Sequence, residues 1–531
     1  MAPRRVCLVG SEQQENLGLE YLAAALERAG HEVEVLPLES RADVDSVCRT
    51  ILARQPELVG LSIAFQHAVR DYLLLVRTLR ERGFRGHLTC GGHVPTFCYA
   101  ELLRDAPGLD SVVRFEGEAA LGELLDNLDA PRRWTATPSV VSRDAQGQIV
   151  PGPSRALCTD LDGLASPRRR AAPFFVGGLP LAFVITARGC FGDCSYCCLS
   201  AFSEAAGGPR LRLRQPEAVA QEIASLRRSR GVRVVVVQDD LFILPSERQS
   251  IERMDRIGDC LAAHGIDDVV FWIKGRPETI TPAVLAAARR MGAIHLFLGV
   301  ESASAERLRY LGRAHDPADN ERAIALCREH GLMPSFNLML FDPDCTLDDV
   351  ATTIEFAAAN SDLPWNVCRT EIYSGTPLLD RLAAEGRLSG DYRGYGYRIA
   401  DPRAEVLFRI LRVCLHDRAL ACDSLINRLI SLSFARQIHQ RFFPGPAADR
   451  LAAEVAQLLR AIYRDTVERL QASLELARSV DPDDRVTVTD FAAEQGLAIH
   501  RWDAERSLLL TDLWRRLHAR GATLGAREPT T

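Results

Sequence analysis

Short apolar runs alternate with stretches of helical periodicity through the first quarter of the chain. Five runs read as strands: VCLVG from Val6, EVEVLPL from Glu32, LVGLSIA from Leu58, HLTCGG from His87 and SVVRFEG from Ser111. Between them, Leu19, Leu22, Ala23 and Leu26 share one helical face that stops at Gly30, and Val69, Tyr72, Leu73, Val76 and Leu79 share another. Strands that alternate with helices pair in parallel, so residues 1–130 are expected to form a doubly wound, Rossmann-like α/β sheet. Such sheets bind ligands at the carboxyl ends of their strands. Those ends carry Ser11 to Gly18, Ser62 to Gln66, and Gly91-Gly92-His93.

The texture changes over residues 131–180. SVVSRDAQGQIVPGP reads as a hairpin turning at Gln146-Gly147, and DLDGLASPRRRAAP as a Pro/Arg-rich linker. Six more strands are expected over 181–390: LAFVITARG, RVVVVQDD from Arg233, VVFWIKGR from Val269, HLFLGVES from His295, PSFNLMLF from Pro334 and NVCRTEIY from Asn366. Six β/α units in about 200 residues are too few for a closed eight-stranded barrel. Residues 391–531 read as a mainly helical domain, with Leu451, Val455, Leu458 and Ile462 on one face. DYRGYGYRIADPR, tyrosine-rich and irregular, either closes over the mouth of the preceding domain or connects it onward, and GATLGAREPTT reads as a frayed tail.

Composition narrows the class. At 531 residues and 47% apolar content the chain has material for about three globular domains. A net charge of −6 with both signs mixed throughout gives no basic stripe, so no nucleic-acid partner is expected. Fifteen cysteines, most scattered singly like Cys48, Cys260 and Cys414, suit a reducing cytoplasm better than a disulfide framework. The longest apolar stretch, Phe174 to Ala187, is broken by glycines and a proline and is shorter than a membrane span, so no membrane partner is expected either.

CFGDCSYC, directly after LAFVITARG, places Cys190, Cys194 and Cys197 in a C-x3-C-x2-C array on one short loop. Cys194 and Cys197 alone could be a redox dithiol or half of a zinc site. Neither accounts for Cys190, and no second pair at similar spacing is present; Cys198 reads as a packing residue. The array resembles the signature of the radical S-adenosylmethionine (SAM) enzymes. That resemblance implies a [4Fe-4S] cluster held by Cys190, Cys194 and Cys197, with its fourth iron chelating SAM, whose cleavage gives a 5′-deoxyadenosyl radical. It also implies that residues 181–390 form an open partial (β/α)6 TIM-type barrel, fed by an external flavodoxin- or ferredoxin-like electron donor.

The N-terminal loops resemble the cobalamin-binding domain that precedes many radical SAM domains. Gly18, Ser62, Gly91 and Gly92 match its pattern, while Gln13 and Glu15 stand where an Asp and a lower-ligand His would be, which implies His-off binding. Glycines without a Cβ let the backbone lie against a corrin edge. The bland alternative is a Rossmann-like domain whose glycine pair merely closes a turn. Phe65, Gln66 and Arg70 are candidates for the upper face, although Arg70 also suits a solvated helix surface. His93 either meets the nucleotide tail or is simply exposed.

At the barrel rim the resemblance points to SAM contacts at Asp239, Asp240, Lys274, Arg276, Glu301 and Ser302. Each has a plain alternative: Asp240 as a helix cap, Glu301 as an N-cap partner for SASAERL, Lys274 and Arg276 as substrate contacts or solvated cations. Glu371 and Tyr373 are the catalytic candidates, and Thr376 with Tyr373 could face a small-molecule substrate. The expected activity is cobalamin-dependent radical C-methylation of an unactivated or weakly activated carbon in specialised metabolism. The alternatives are a cyclase or rearrangement enzyme using the same cofactors, and a non-catalytic corrinoid or iron-sulfur carrier.

Overall fold

The five N-terminal strands lie at Arg5–Gly10, Glu32–Pro37, Leu58–Ser62, His87–Gly91 and Ser111–Val113 in a computed structural model that describes residues 3–170 and 172–519. They pair in parallel in the order second, first, third, fourth, fifth. The expected hairpin, Val140–Arg143 and Ile149–Pro151, extends the sheet antiparallel to the fifth strand. Alternate strand residues bury on both faces: Cys7, Val9, Leu61 and Ile63 under helices Val44–Arg54, Val69–Glu81 and His93–Asp105, and Val6, Leu8 and Leu58 under Leu17–Arg28 and Gly117–Asp126. The expected tail GATLGAREPTT lies outside the described residues.

The compact units interleave along the chain. The first gathers Met1–Ala172, Ala187–Arg214 and Glu371–Gly396. The tyrosine-rich stretch read as a lid or connector is a hairpin, Leu388–Asp391 with Gly394–Tyr397, and within this unit it docks on helix His93–Asp105. Tyr392 is buried in the core there and its hydroxyl donates to Asp105 (2.9 Å). The helix kinks at Cys98, whose thiol meets the Ser374 hydroxyl at 2.9 Å. At Gly375 (φ +80°) a Cβ would stand 2.4 Å from the Phe97 ring, so the close approach requires glycine.

The second unit comprises Pro173–Thr186, Gln215–Thr370 and Tyr397–Thr531. Its six parallel strands, Leu179–Val184, Val234–Val237, Val270–Gly275, Ala293–Glu301, Met333–Phe341 and Trp365–Arg369, follow one another in chain order, with Phe174–Val176 antiparallel at the edge. Sequential parallel strands joined by helices curl into a half barrel. The first strand is shorter than LAFVITARG: Asp239 captures the Thr186 N–H (2.6 Å) and hydroxyl, and Ala187–Gly189 leaves the sheet to pair antiparallel with Leu211–Leu213.

Helix Leu425–Phe442 packs on the inner face of this sheet near its amino end. Phe434 packs tilted against Trp272 (4.8 Å) and edge-on to His295 (5.4 Å), Gln437 bonds the His295 ring (3.1 Å), and the Asn366 side chain donates to Asn427 (2.9 Å). Buried on several sides, the helix has no single apolar stripe. Further out, fully buried Arg418 is held between Asp465 and Asp503 of the last two helices. Among the described residues no helix is long and apolar enough to cross a membrane.

Burial pushes the His295 imidazole down to about 3, outweighing the favourable Gln437 bond. A histidine depressed in the folded state lets the unfolded chain take the proton first, so stability falls as pH drops from about 6.5 toward 3, by up to about 1.4 kcal/mol per pH unit. Urea midpoints measured from pH 7 to 5 should therefore decline less steeply for His295→Gln than for the parent chain.

Candidate functional site

The three cysteines are placed by an ion-paired ribbon. Arg188, on the strand leading into the loop, bonds Glu116 (2.9 Å) and Glu118 (2.6 Å); Arg212, on the opposite strand, bonds Glu116 (2.7 Å) and the Cys158 carbonyl (2.8 Å). Glu116 also accepts the Cys158 N–H (2.8 Å). Burial raises the Glu116 carboxyl, but the two guanidinium groups outweigh it and leave it below the usual carboxylate range. All of these groups belong to the first unit, so the ribbon is tied to the α/β sheet's FEGE turn. At Gly189 (φ +89°) a Cβ would come 1.9 Å from the Arg210 carbonyl, which only glycine avoids.

Cys190 to Cys197 then run into helix Leu199–Ala206. The Gly192 N–H points at the Cys190 sulfur (3.4 Å), the Cys197 N–H donates to the Cys194 carbonyl (3.1 Å), and the Ser195 carbonyl accepts from Leu378 (2.8 Å). Cys194 is buried; Cys190 and Cys197 are half-buried. Among the described residues no three His, Cys, Asp or Glu side chains converge to hold a single ion. A cubane takes each thiolate on a different iron and needs no convergence on one ion. Three sulfurs on one short loop, one of them receiving an N–H, fit that group.

At the carboxyl ends of the first sheet, Gly18 lies in the first turn of Leu17–Arg28 with no crowding, a Cβ there meeting only Asn16 at 3.4 Å. Ser62 is half-buried at its strand end. Phe65 is 53% exposed and stacks on His67 (5.6 Å), and Gln66 is buried with its side-chain oxygen unpartnered among the described residues. Arg70 is exposed on the next helix. The sheet itself requires glycine at 92 and leaves little room at 91. A Cβ on Gly91 would lie 3.1 Å from the Val113 carbonyl, and one on Gly92 (φ +112°) 2.7 Å from that of Ile63. His93 is exposed and its ring lies 5.2 Å from Phe202, which follows the cysteine loop. Glu15 is ion-paired to buried Arg169 of the linker (2.7 Å). An orphaned amide oxygen, an exposed phenyl face and an uncrowded glycine fit cobalamin, with its amide-fringed ring.

The half-barrel strand ends separate the rim candidates. Asp239 is an internal tie to Thr186. Ser302 is buried, its hydroxyl engaged with Thr353 (3.3 Å) and the Ser304 N–H (3.1 Å). Arg276 is buried against Glu278 (2.6 Å), and although burial raises the Glu278 carboxyl, His315 and Arg276 bring it down to about 2. Asp240 is exposed and does not cap the next helix, which Ser246 caps. Glu301 is not a cap partner either, since Ser304 caps Ala305–Tyr310. It sits instead at φ +64° beside Arg313 (3.5 Å), a conformation that costs a non-glycine residue about 1–2 kcal/mol and clusters at functional sites. Lys274 is half-buried.

The Tyr373 hydroxyl donates to Glu371, and the pair belongs to the segment Glu371–Gly396 of the first unit. Thr376 is buried as the N-cap of Pro377–Ala384, its hydroxyl donating to the Tyr373 carbonyl (2.7 Å). Sequence reasoning missed Glu116, Arg188, Arg212 and Arg313, because partners so far apart in the chain leave no local spacing. It also passed over Asn337, the one exposed residue of the strand Met333–Phe341.

Comparison with known proteins agrees with this arrangement. Residues 6–125 match the B12 binding domain and residues 184–357 the radical SAM superfamily. The chain belongs to the radical SAM enzymes that carry a B12-binding domain, whose cofactors are a [4Fe-4S] cluster, SAM and cobalamin. It is 27% identical to Uncharacterized methyltransferase PH0819 of Pyrococcus horikoshii, over 64% of this chain and 72% of that one. It is 30% identical to Hopanoid C-3 methylase of Methylococcus capsulatus (62% and 61%) and 26% identical to Anaerobic magnesium-protoporphyrin IX monomethyl ester cyclase of Synechocystis sp. (61% and 64%). The chain thus spans less than two thirds of the latter two relatives. The fold is shared with the cobalamin-dependent S-adenosylmethionine radical enzyme OxsB, at a TM-score of 0.67 and 15% identity over 98% of this chain and 84% of that one.

Gly189→Ala should break the ribbon that carries the cysteines. We expect a loss of about 2–4 kcal/mol in stability and at least half of the iron lost after anaerobic reconstitution, read by denaturant titration and iron analysis.

Proposed function

We propose that this chain is a cobalamin-dependent radical SAM C-methyltransferase acting on an unactivated or weakly activated carbon of a small molecule of specialised metabolism. The observation that carries the reading is the Glu116 lock, which makes the cysteine loop part of the same compact unit as the B12-binding sheet. A radical-generating loop tied to a corrinoid domain suits a reaction that uses both. The names of two relatives, a methyltransferase and a methylase, support methyl transfer.

When bound, the cluster with SAM supplies hydrogen-atom abstraction and cobalamin supplies the methyl group. Cys190, Cys194 and Cys197 hold the cluster. Glu301, steadied by Arg313, takes the SAM ammonium, with Asp240 as a second acidic group. Gly18, Ser62, Gly91 and Gly92 would line the corrinoid site, where Phe65 and Gln66 would help exclude water. The hydrogen-bonded Tyr373–Glu371 pair is suited to moving a proton at the substrate. A flavodoxin- or ferredoxin-like donor provides the electrons.

Ring formation without methyl transfer is the second reading, favoured by the likeness to the protoporphyrin ester cyclase. A product census separates the two. Methylation should release S-adenosylhomocysteine and 5′-deoxyadenosine in comparable amounts from the loaded, reduced protein; 5′-deoxyadenosine alone would mean ring formation. Replacing Cys190, Cys194 and Cys197 together by alanine should abolish 5′-deoxyadenosine and leave corrinoid binding within about twofold.

A further inference from the structure

The chain has one lysine among 64 strongly basic residues. Every ion pair described above uses arginine or histidine, so arginine meets the ordinary structural need for a cation. Lys274 stands elsewhere. It shares the inner face of its strand with Trp272, two residues earlier, whose ring lies against His295 (4.3 Å) and Phe434 (4.8 Å). It is therefore the next side chain above the aromatic floor made with helix Leu425–Phe442. Across the register from it is half-buried Phe297, and the strand beyond carries exposed Asn337.

The Lys274 ammonium makes no hydrogen bond or ion pair with the described residues, and nearby Arg276 is committed to Glu278. Half-burying a compact ammonium without a partner is unfavourable unless an incoming anion supplies one. Glu301 lies further toward the carboxyl end. From the level of Phe297 to that of Glu301 the neighbouring strand advances from Ser335 to Leu338, about 10 Å of rise. SAM carries its ammonium and carboxylate on one carbon. If Glu301 takes the ammonium, the carboxylate stays near it and Lys274 is left for a different molecule.

We propose that Lys274 is a specificity-determining residue that binds a carboxylate or phosphate group of the substrate, so that the substrate is an anionic small molecule. The inference rests on the assignment of Glu301 to SAM. Because no other lysine is present, amine-directed modification is specific to this position apart from the chain's amino terminus. The full-length, anaerobically reconstituted protein is treated with a limiting N-hydroxysuccinimide ester, and modification of Lys274 is followed by peptide mass spectrometry.

Millimolar phosphate, pyrophosphate or citrate should slow the modification at least fivefold, and SAM alone should change it less than twofold. Protection by SAM alone would place Lys274 in the SAM site and overturn the proposal. So would the absence of protection by all three anions. Equilibrium dialysis of SAM against Glu301→Gln isolates the underlying assignment: undiminished SAM binding removes Glu301 from the SAM site, whatever the lysine result.

Discussion

The cysteine ribbon of the first unit depends on one largely buried carboxylate. Glu116 sits at the turn between the fifth strand and its following helix, and it is the common partner of Arg188 and Arg212 on the two strands of the cysteine ribbon. Removing Glu116 would leave the buried Arg212 guanidinium without its carboxylate partner, and breaking a buried pair in this way typically costs about 3–5 kcal/mol, more than a surface pair contributes. The aromatic contacts alongside, Phe115 edge-on to Phe202 (5.4 Å) and Arg188 over Tyr21 (5.2 Å), exclude water from the same region. The loop that carries the cysteines is thus positioned by the corrinoid-type domain that precedes it in the chain.

The second unit divides its polar groups between structure and chemistry. Asp239, Arg276 and Ser302 stand at strand ends where ligands bind, yet each is satisfied internally and fixes the strand ends. Lys274 is not consumed in this way, and Glu301 meets Arg313. The left-handed backbone at Glu301 keeps its carboxylate at the end of the strand, where straight continuation would turn it into the sheet's alternation. The helix Leu425–Phe442 supplies the other constraint by filling the inner face below Lys274, so that only the upper part of the half barrel is left for small molecules.

Much of this was legible in the chain. Period-two and period-3.6 patterns locate all eleven expected strands of the two sheets, because each strand is short, apolar and bounded by turn residues. The three-cysteine spacing is local and needs no tertiary information. What could not be read was long-range. Glu116 and Arg212 are ninety-six residues apart, and no spacing rule joins them. The ribbon after Val184 continues the apolar run and is separated from it only by the capture of Thr186 by Asp239. The tyrosine-rich segment looked irregular because its hairpin buries Tyr392 in a distant domain's core while the adjoining positions face out. The glycine pair Gly91-Gly92 fits a ligand-bordering role in sequence, but the Ile63 carbonyl and a positive φ already demand glycine at 92.

The central claim is that a cubane and a corrinoid are housed together in one unit, and metal and corrinoid analysis tests it most directly. Anaerobic purification with hydroxocobalamin, followed by iron, sulfide and corrinoid determination, should give about four iron, about four sulfide and one corrinoid per chain. A chain that retains corrinoid but takes up neither iron nor sulfide, or the reverse, would contradict the account.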